Sequence, residues 1–228
     1  MRHDLAFETQ DGMAEALAGA IAAALSQDIA EKGSASLIVS GGRTPRRMFE
    51  RLSRKALPWN KVKISLADER LVPATDPSSN ERLVRDHLLQ NEAQSAVFIP
   101  LWQGEGDPVE SAVEAISAMD RAFAMVVLGM GEDGHFASLF PGMPGLSRAL
   151  EPYFNSLAVF VPAQAGLTPR VSLTLATLLD TKALAISFEG EMKRRVLERA
   201  LAPGPVEELP VRALFNQDRA PVDVYWSP

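Results

Sequence analysis

The feature that most constrains this chain is a set of short, almost wholly apolar segments separated by helical patterns. Such segments fall at residues 36–39, 62–66, 96–99, 123–128, 157–161, 171–175, 183–188 and 222–226. They carry Val, Ile, Leu, Phe and Ala in near-continuous runs, with little of the strict in–out alternation of a half-exposed strand. A strand that is apolar on successive residues needs cover on both faces, the condition of a parallel sheet flanked by helices. Helical periodicity falls between them, at residues 11–31, 45–55, 80–90, 109–120, 190–201 and 208–215. Strand–helix alternation of this kind predicts a doubly wound α/β sheet. No internal repeat or low-complexity stretch is present. The Pro/Gly clusters at 141–145 and 203–210 read as surface loops, so residues 1–228 are expected to form one domain.

Composition narrows the chemistry. The 228 residues include no cysteine, which excludes disulfides, thiolate nucleophiles, cysteine zinc sites and iron–sulfur clusters. There are 3 histidines, His3, His87 and His135, with no H-E-x-x-H pattern and no cluster, so no metal and no cofactor are expected. His87, within Arg85-Asp86-His87-Leu88, reads as an exposed helix position. Charge at Met1-Arg2-His3-Asp4 stands where a signal peptide needs an apolar run. The Ala-rich stretch at 14–25, interrupted by Gly19, reads as a core helix and not a membrane span. A cytoplasmic protein is the expectation, as a monomer or small homo-oligomer. The net charge of −6 argues against nucleic acid or an anionic membrane as partner. Any anionic small molecule must then be met by a few placed Arg and Lys side chains.

In doubly wound sheets, ligands bind beyond the carboxyl ends of the strands, which directs attention to the residues just after each one. The first such segment is Ser40-Gly41-Gly42-Arg43-Thr44-Pro45, between a strand and a helix. Glycines allow the backbone a close approach, Thr44 suits an N-cap and Pro45 the first helical position. Free N–H groups at the helix start, with Arg43, would suit an anion. The same residues serve equally as an ordinary capped turn, and they lack the Gly-Lys-Ser/Thr ending of a Walker A loop. The second segment is Asp68-Glu69-Arg70, followed by Ser79-Asn80, of which Ser79 or Asn80 caps the next helix. Taken alone, the triplet reads as a solvated charge run. Its functional reading makes Arg70 an anion or oxyanion contact oriented by a neighbouring carboxylate.

The third segment runs from Gly129 to Gly142 and contains Asp133-Gly134-His135. Gly129, Gly131 and Gly134 formally satisfy G-x-G-x-x-G, but Pro141-Gly142 ends any following helix early, a poor context for dinucleotide binding. A carboxylate two residues from an imidazole on a tight turn can orient that ring as a general base. There is no G-x-S-x-G nucleophile elbow. Arg170 and Lys193 stand at entries to later elements, where each is either a surface charge or a phosphate-facing cation.

Together these segments resemble the 6-phosphogluconolactonase family, in its sugar-phosphate isomerase-like branch, from about residue 35 to 200. The resemblance implies a three-layer α/β/α domain on a largely parallel, Rossmann-like sheet. It implies hydrolysis of a phosphorylated sugar lactone, 6-phospho-D-glucono-1,5-lactone, the second step of the oxidative pentose phosphate pathway. His135 would activate water, Asp133 would orient His135, and Arg70 or loop N–H groups would hold the oxyanion. Gly41, Gly42, Thr44, Asp68, Arg170 and Lys193, with Arg43, would contact the substrate and its phosphate. The related glucosamine-6-phosphate deaminases share the glycine turn and the Asp-Gly-His step. They continue with an acid in an Asn-Glu-Pro-Gly type ending, where this chain reads Ser138-Leu139-Phe140-Pro141-Gly142. A sugar-phosphate sensor, the remaining alternative, would carry a basic helix-turn-helix module, and none is visible.

Overall fold

The computed structural model describes residues 2–42, 44–163 and 168–228. In chain order the strands are β1 (Arg2–Ala6), β2 (Ala35–Val39), β3 (Val62–Leu66), β4 (Asp68–Arg70), β5 (Val97–Phe98), β6 (Met125–Leu128), β7 (Ala158–Val161), β8 (Arg170–Leu173), β9 (Leu184–Glu189) and β10 (Val222–Ser227). The helices are α1 (Gln10–Lys32), α2 (Pro45–Leu52), α3 (Asn80–His87), α4 (Pro108–Ser117), α5 (Leu146–Ala149), α6 (Leu175–Leu178), α7 (Glu191–Leu201) and α8 (Arg212–Phe215).

Seven strands form one sheet in the order β1-β10-β9-β6-β2-β3-β5, and every neighbouring pair is parallel. The apolar runs explain its centre: all residues of β2 and β6 are buried, which requires cover on both faces. Helix α1 packs against β2, β6 and β10 and is closed at both ends by its own sequence. Thr9 Oγ1 accepts from Gly12 N–H at 3.0 Å, and Gly33 adopts a left-handed conformation (φ 83°) that returns its N–H to the Ile29 carbonyl. The core is one continuous apolar cluster, with Trp59, Phe49, Phe123, Phe136 and Phe188 among its largest members. No helix among the described residues is long and apolar enough to cross a membrane.

The structure departs from the sequence expectations in instructive places. Residues 157–161 and 171–175 were expected in the parallel sheet. Ala158–Val161 and Arg170–Leu173 instead form β7 and β8, which with β4 make a separate three-stranded antiparallel sheet in the order β4-β8-β7. An apolar run encodes burial but not its partner. Strand β1 was not expected at all, because Arg2–Ala6 is exposed at every position and pairs only with β10, at the sheet edge. His87 is not an exposed position: its side chain is 19% exposed, with Nδ1 3.1 Å from Glu50 Oε1.

Strand register places the cleft. Val39 lies level with Leu66 in β3 on one side and Val127 in β6 on the other, so three strands end together. From β2 the chain moves outward through β3 to β5, then returns to β6 on the opposite side of β2. Connections that leave neighbouring strands in opposite directions open a crevice between their carboxyl ends.

Candidate active site

A cleft of about 190 Å³ opens at that crevice, and each of the chain segments singled out above contributes to its wall. Gly41, Gly42 and Thr44 come from the β2–α2 turn, Asp68 and Arg70 from β4, and His135 from the loop after β6. Arg170 enters from β8 and Lys193 from the first turn of α7. Asp133 is not in the wall itself but stands behind His135. Arg43 lies outside the described residues. A chain with a net charge of −6 thus gathers Arg70, Arg170 and Lys193 at one opening.

The β2–α2 turn is shaped by crowding. An added Cβ on Gly41 would lie 1.8 Å from Asn80 Oδ1, so only glycine lets this backbone run against the Asn80 side chain. Pro45 opens α2 as expected, but Thr44 does not cap it. Its backbone is helical (φ −56°, ψ −45°) and its side chain makes no capping hydrogen bond, which leaves the hydroxyl on the cleft wall.

The loop after β6 opens no helix until α5, which settles its G-x-G-x-x-G pattern against a dinucleotide. Its glycines make room for the pair that follows. A Cβ on Gly131 would lie 2.1 Å from His135 Nδ1 and 2.5 Å from Asp133 Oδ1. The loop is closed by Gly131 N–H to the His135 carbonyl (2.9 Å) and by Gly134 N–H to the Gly131 carbonyl (3.1 Å). Asp133 Oδ1 is 2.5 Å from His135 Nδ1 and also accepts the His135 backbone N–H at 3.2 Å. Burial works to raise the Asp133 carboxyl, but its hydrogen bonds and proximity to His135 hold it below its ordinary value. An anionic Asp133 assigns the proton on His135 to Nδ1 and leaves the Nε2 lone pair available. Phe140 packs against the ring at 4.4 Å between centroids.

The Asp68-Glu69-Arg70 triplet is not a solvated run. Asp68 is 4% exposed and Glu69 3% exposed. Glu69 points away from the cleft to the start of α3, where Oε1 accepts from Asn80 N–H (2.8 Å) and Oε2 from Glu81 N–H (2.7 Å). The Arg70 N–H and the Ser79 hydroxyl complete its set, at 2.7 and 3.1 Å. Burial pushes the Glu69 carboxyl up, against these N–H groups, which favour the anion. Arg70 was expected to be oriented by a neighbouring carboxylate. It is instead held by neutral oxygens, the Ser78 carbonyl (2.5 Å) and Asn80 Oδ1 (2.9 Å). Arg170, its register partner across β4 and β8, lies over the Phe140 ring at 5.1 Å. Burial, and then the positive charge of Arg70, lower the Arg170 guanidinium from its ordinary value, while Asp68 and Glu69 oppose them.

Two side chains central to this arrangement escaped the sequence reading. Asn80 was taken only as a cap, a task that Ser79 performs by accepting from Arg82 N–H at 3.2 Å. Ser138 was taken as one letter of a loop motif. Its hydroxyl donates to Asp68 Oδ2 at 2.5 Å and accepts from Arg170 Nη1 at 3.3 Å. A polar residue at the end of a charged triplet's partner segment was the available signal for Asn80; Ser138 carried none. Among the described residues, no three His, Cys, Asp or Glu side chains are grouped to hold a metal ion.

Comparison with known proteins gives concordant results. The pattern that defines the glucosamine-6-phosphate isomerases/6-phosphogluconolactonase family matches residues 8–226. A 6-phosphogluconolactonase of Mesorhizobium japonicum is 42% identical over 226 residues, covering 98% of this chain and 94% of the relative. One from Rhizobium meliloti is 41% identical, with 97% of each chain covered. The crystal structure of a 6-phosphogluconolactonase from Shewanella baltica superposes with a TM-score of 0.94 at 38% identity, over 100% of this chain and 98% of that one.

Proposed function

This chain belongs to the glucosamine-6-phosphate isomerase/6-phosphogluconolactonase family, and from that premise we propose that it hydrolyses 6-phospho-D-glucono-1,5-lactone to 6-phosphogluconate in the cytoplasm. The observation that carries the reading is the Asp133–His135 pair opening on the same cleft as Arg70, Arg170 and Lys193.

The chemistry follows from those groups. A lactone carbonyl is already electrophilic, so the demanding step is delivery of a nucleophile. His135 Nε2 takes a proton from water as its oxygen bonds to the carbonyl carbon. Asp133 holds the ring in the required tautomer and favours the imidazolium that forms. Arg70, or N–H groups of the glycine turn, meet the negative charge that develops on the carbonyl oxygen. When the tetrahedral intermediate collapses, the bond to the ring oxygen breaks and the proton on His135 passes to that oxygen. The products are a free hydroxyl and a carboxylic acid, which loses its remaining proton to solvent to become the carboxylate. Gly41, Gly42, Thr44, Asp68, Arg170 and Lys193 form the substrate and phosphate contacts, and the role of Arg43 is the same by sequence position.

Deaminase chemistry would need further acid–base groups to open a hemiacetal, move a proton between carbons and expel ammonia. The segment after His135 supplies Ser138, Leu139 and Phe140 in place of an acid. The test uses fresh substrate, because the lactone also opens unaided. Hydrolysis of newly generated 6-phosphoglucono-δ-lactone is expected well above background, unphosphorylated gluconolactone should react much more slowly, and glucosamine 6-phosphate should release no ammonia. Ammonia release would favour the deaminase. Equal rates on both lactones would remove the phosphate contacts.

A further inference from the structure

Arg70 and Arg170 lie side by side in register on β4 and β8, yet a buried carboxylate, Asp68, stands between their anchor points without a direct hydrogen bond to either. The connections form an arc. Arg70 Nη1 donates to Asn80 Oδ1 (2.9 Å), and Asn80 Nδ2 donates to the Asp68 carbonyl (2.8 Å) and to Asp68 Oδ1 (3.3 Å). On the other side Ser138 Oγ donates to Asp68 Oδ2 (2.5 Å) and accepts from Arg170 Nη1 (3.3 Å). Asp68 Oδ2 itself stands 3.8 Å from Arg170 Nη1, a long ion pair beyond hydrogen-bond reach. One neutral group is thus interposed between the carboxylate and each guanidinium. Both neutral groups are buried, Asn80 at 1% and Ser138 at 0% exposure. The Nε atoms of both arginines are also buried, with no hydrogen-bond partner among the described residues.

A guanidinium paired directly with a carboxylate is oriented and neutralised together, because the fork of N–H donors matches the two oxygens. An amide or hydroxyl oxygen orients it and leaves its charge intact. We infer that Asn80 and Ser138 are positioning residues, neutral spacers that fix Arg70 and Arg170 near Asp68 while keeping its oxygens from closing on either guanidinium fork, so that both forks stay available to an anionic ligand. Asn80 also contacts Gly41, so the spacer ties the arginine pair to the glycine turn. The inference rests on the lactonase reading for the identity of the ligand, a phosphorylated sugar acid.

The test is direct binding of 6-phosphogluconate by calorimetry at several salt concentrations. This probe places a carboxylate where the lactone carbonyl was and keeps the phosphate, so it reports on either arginine. Asn80→Asp preserves shape and the acceptor toward Arg70 but adds a charge and loses the donor to Asp68, whereas Asn80→Ala removes both contacts. Both changes remove the Nδ2 donor to Asp68, so a merely structural Asn80 would cost stability in each and leave the Kd of the folded protein unchanged. The spacer role predicts that Kd of the folded protein rises, about tenfold or more in Asn80→Asp, the scale of a charge-assisted hydrogen bond, and less in Asn80→Ala. Ser138→Ala lets Asp68 close directly on Arg170, so Kd should rise and the salt dependence of binding should become shallower. This second variant decides the matter if Asn80→Asp does not fold by circular dichroism. Parent-like affinity and salt slope in Ser138→Ala, or tighter binding by Asn80→Asp than by Asn80→Ala, would overturn the inference. Lactone hydrolysis by the parent, measured in the same preparation, tests the underlying reading separately. A lactonase with indifferent spacer variants loses only the spacers, and the predicted order of affinities without hydrolysis loses only the lactonase.

Discussion

At the scale of single residues the account rests on Asp133 and His135. The Asp133 carboxyl is held below its ordinary value, so it stays anionic as pH falls toward the usual carboxylate range. By linkage, the interaction supports the fold above the unfolded-state value and is lost as pH falls through the lowered folded value. Asp133→Asn removes the anion that favours a protonated ring. Activity should fall, and the acid limb of kcat/KM should move to lower pH; a profile identical to the parent's would detach Asp133 from the mechanism. The cations make a different prediction. Arg170→Ala and Lys193→Ala should raise KM chiefly, because contacts to a non-reacting phosphate are made equally in ground and transition states. A loss confined to kcat would place them at the carbonyl instead. Residues whose chemistry is local were legible in the sequence, as the two-residue step from Asp133 to His135 illustrates. Asn80 and Ser138 were not, because their meaning lies in contacts with Arg70 and Asp68, and Ser138 is separated from Asp68 by 70 positions.

Among the elements, those with a strong internal pattern were readable and those defined by a partner were not. β2, β3, β6 and β9 are buried along almost their whole length, and their apolar runs declare it. β4 consists of Asp68, Glu69 and Arg70, and nothing in three charged letters announces a strand. It exists because β8 pairs with it and because Glu69 can bury its carboxylate on the first N–H groups of α3. Helix α3 also draws on Ser79 as its cap. Glu69→Gln sets an amide NH₂ against backbone donors where both oxygens now accept. It should destabilise the fold by about 1–3 kcal/mol, the scale of a buried unsatisfied polar group. Urea unfolding would measure this, and an unchanged midpoint would show that the carboxylate does not hold α3.

For the molecule as a whole, the doubly wound sheet was legible in the apolar runs and its antiparallel companion was not. The antiparallel sheet is what brings Arg70 and Arg170 to the crevice opened by the parallel one. We propose that the two sheets belong to one domain. β3 runs through Ala67 into β4, and the Leu173 N–H of β8 bonds to the Ala67 carbonyl at 2.8 Å. The question of how an acidic chain would meet an anionic ligand is then answered locally, by Arg70, Arg170 and Lys193 at one opening. The central claim joins that opening to a general base. Its most direct test is the hydrolysis of freshly prepared 6-phosphoglucono-δ-lactone by the parent and by His135→Ala, each corrected for spontaneous opening and each shown to be folded. A general base at His135 predicts that kcat/KM falls by ~10²–10⁴-fold in the variant, the usual contribution of such a group. A folded His135→Ala protein that hydrolyses the lactone at the parent's rate would contradict it.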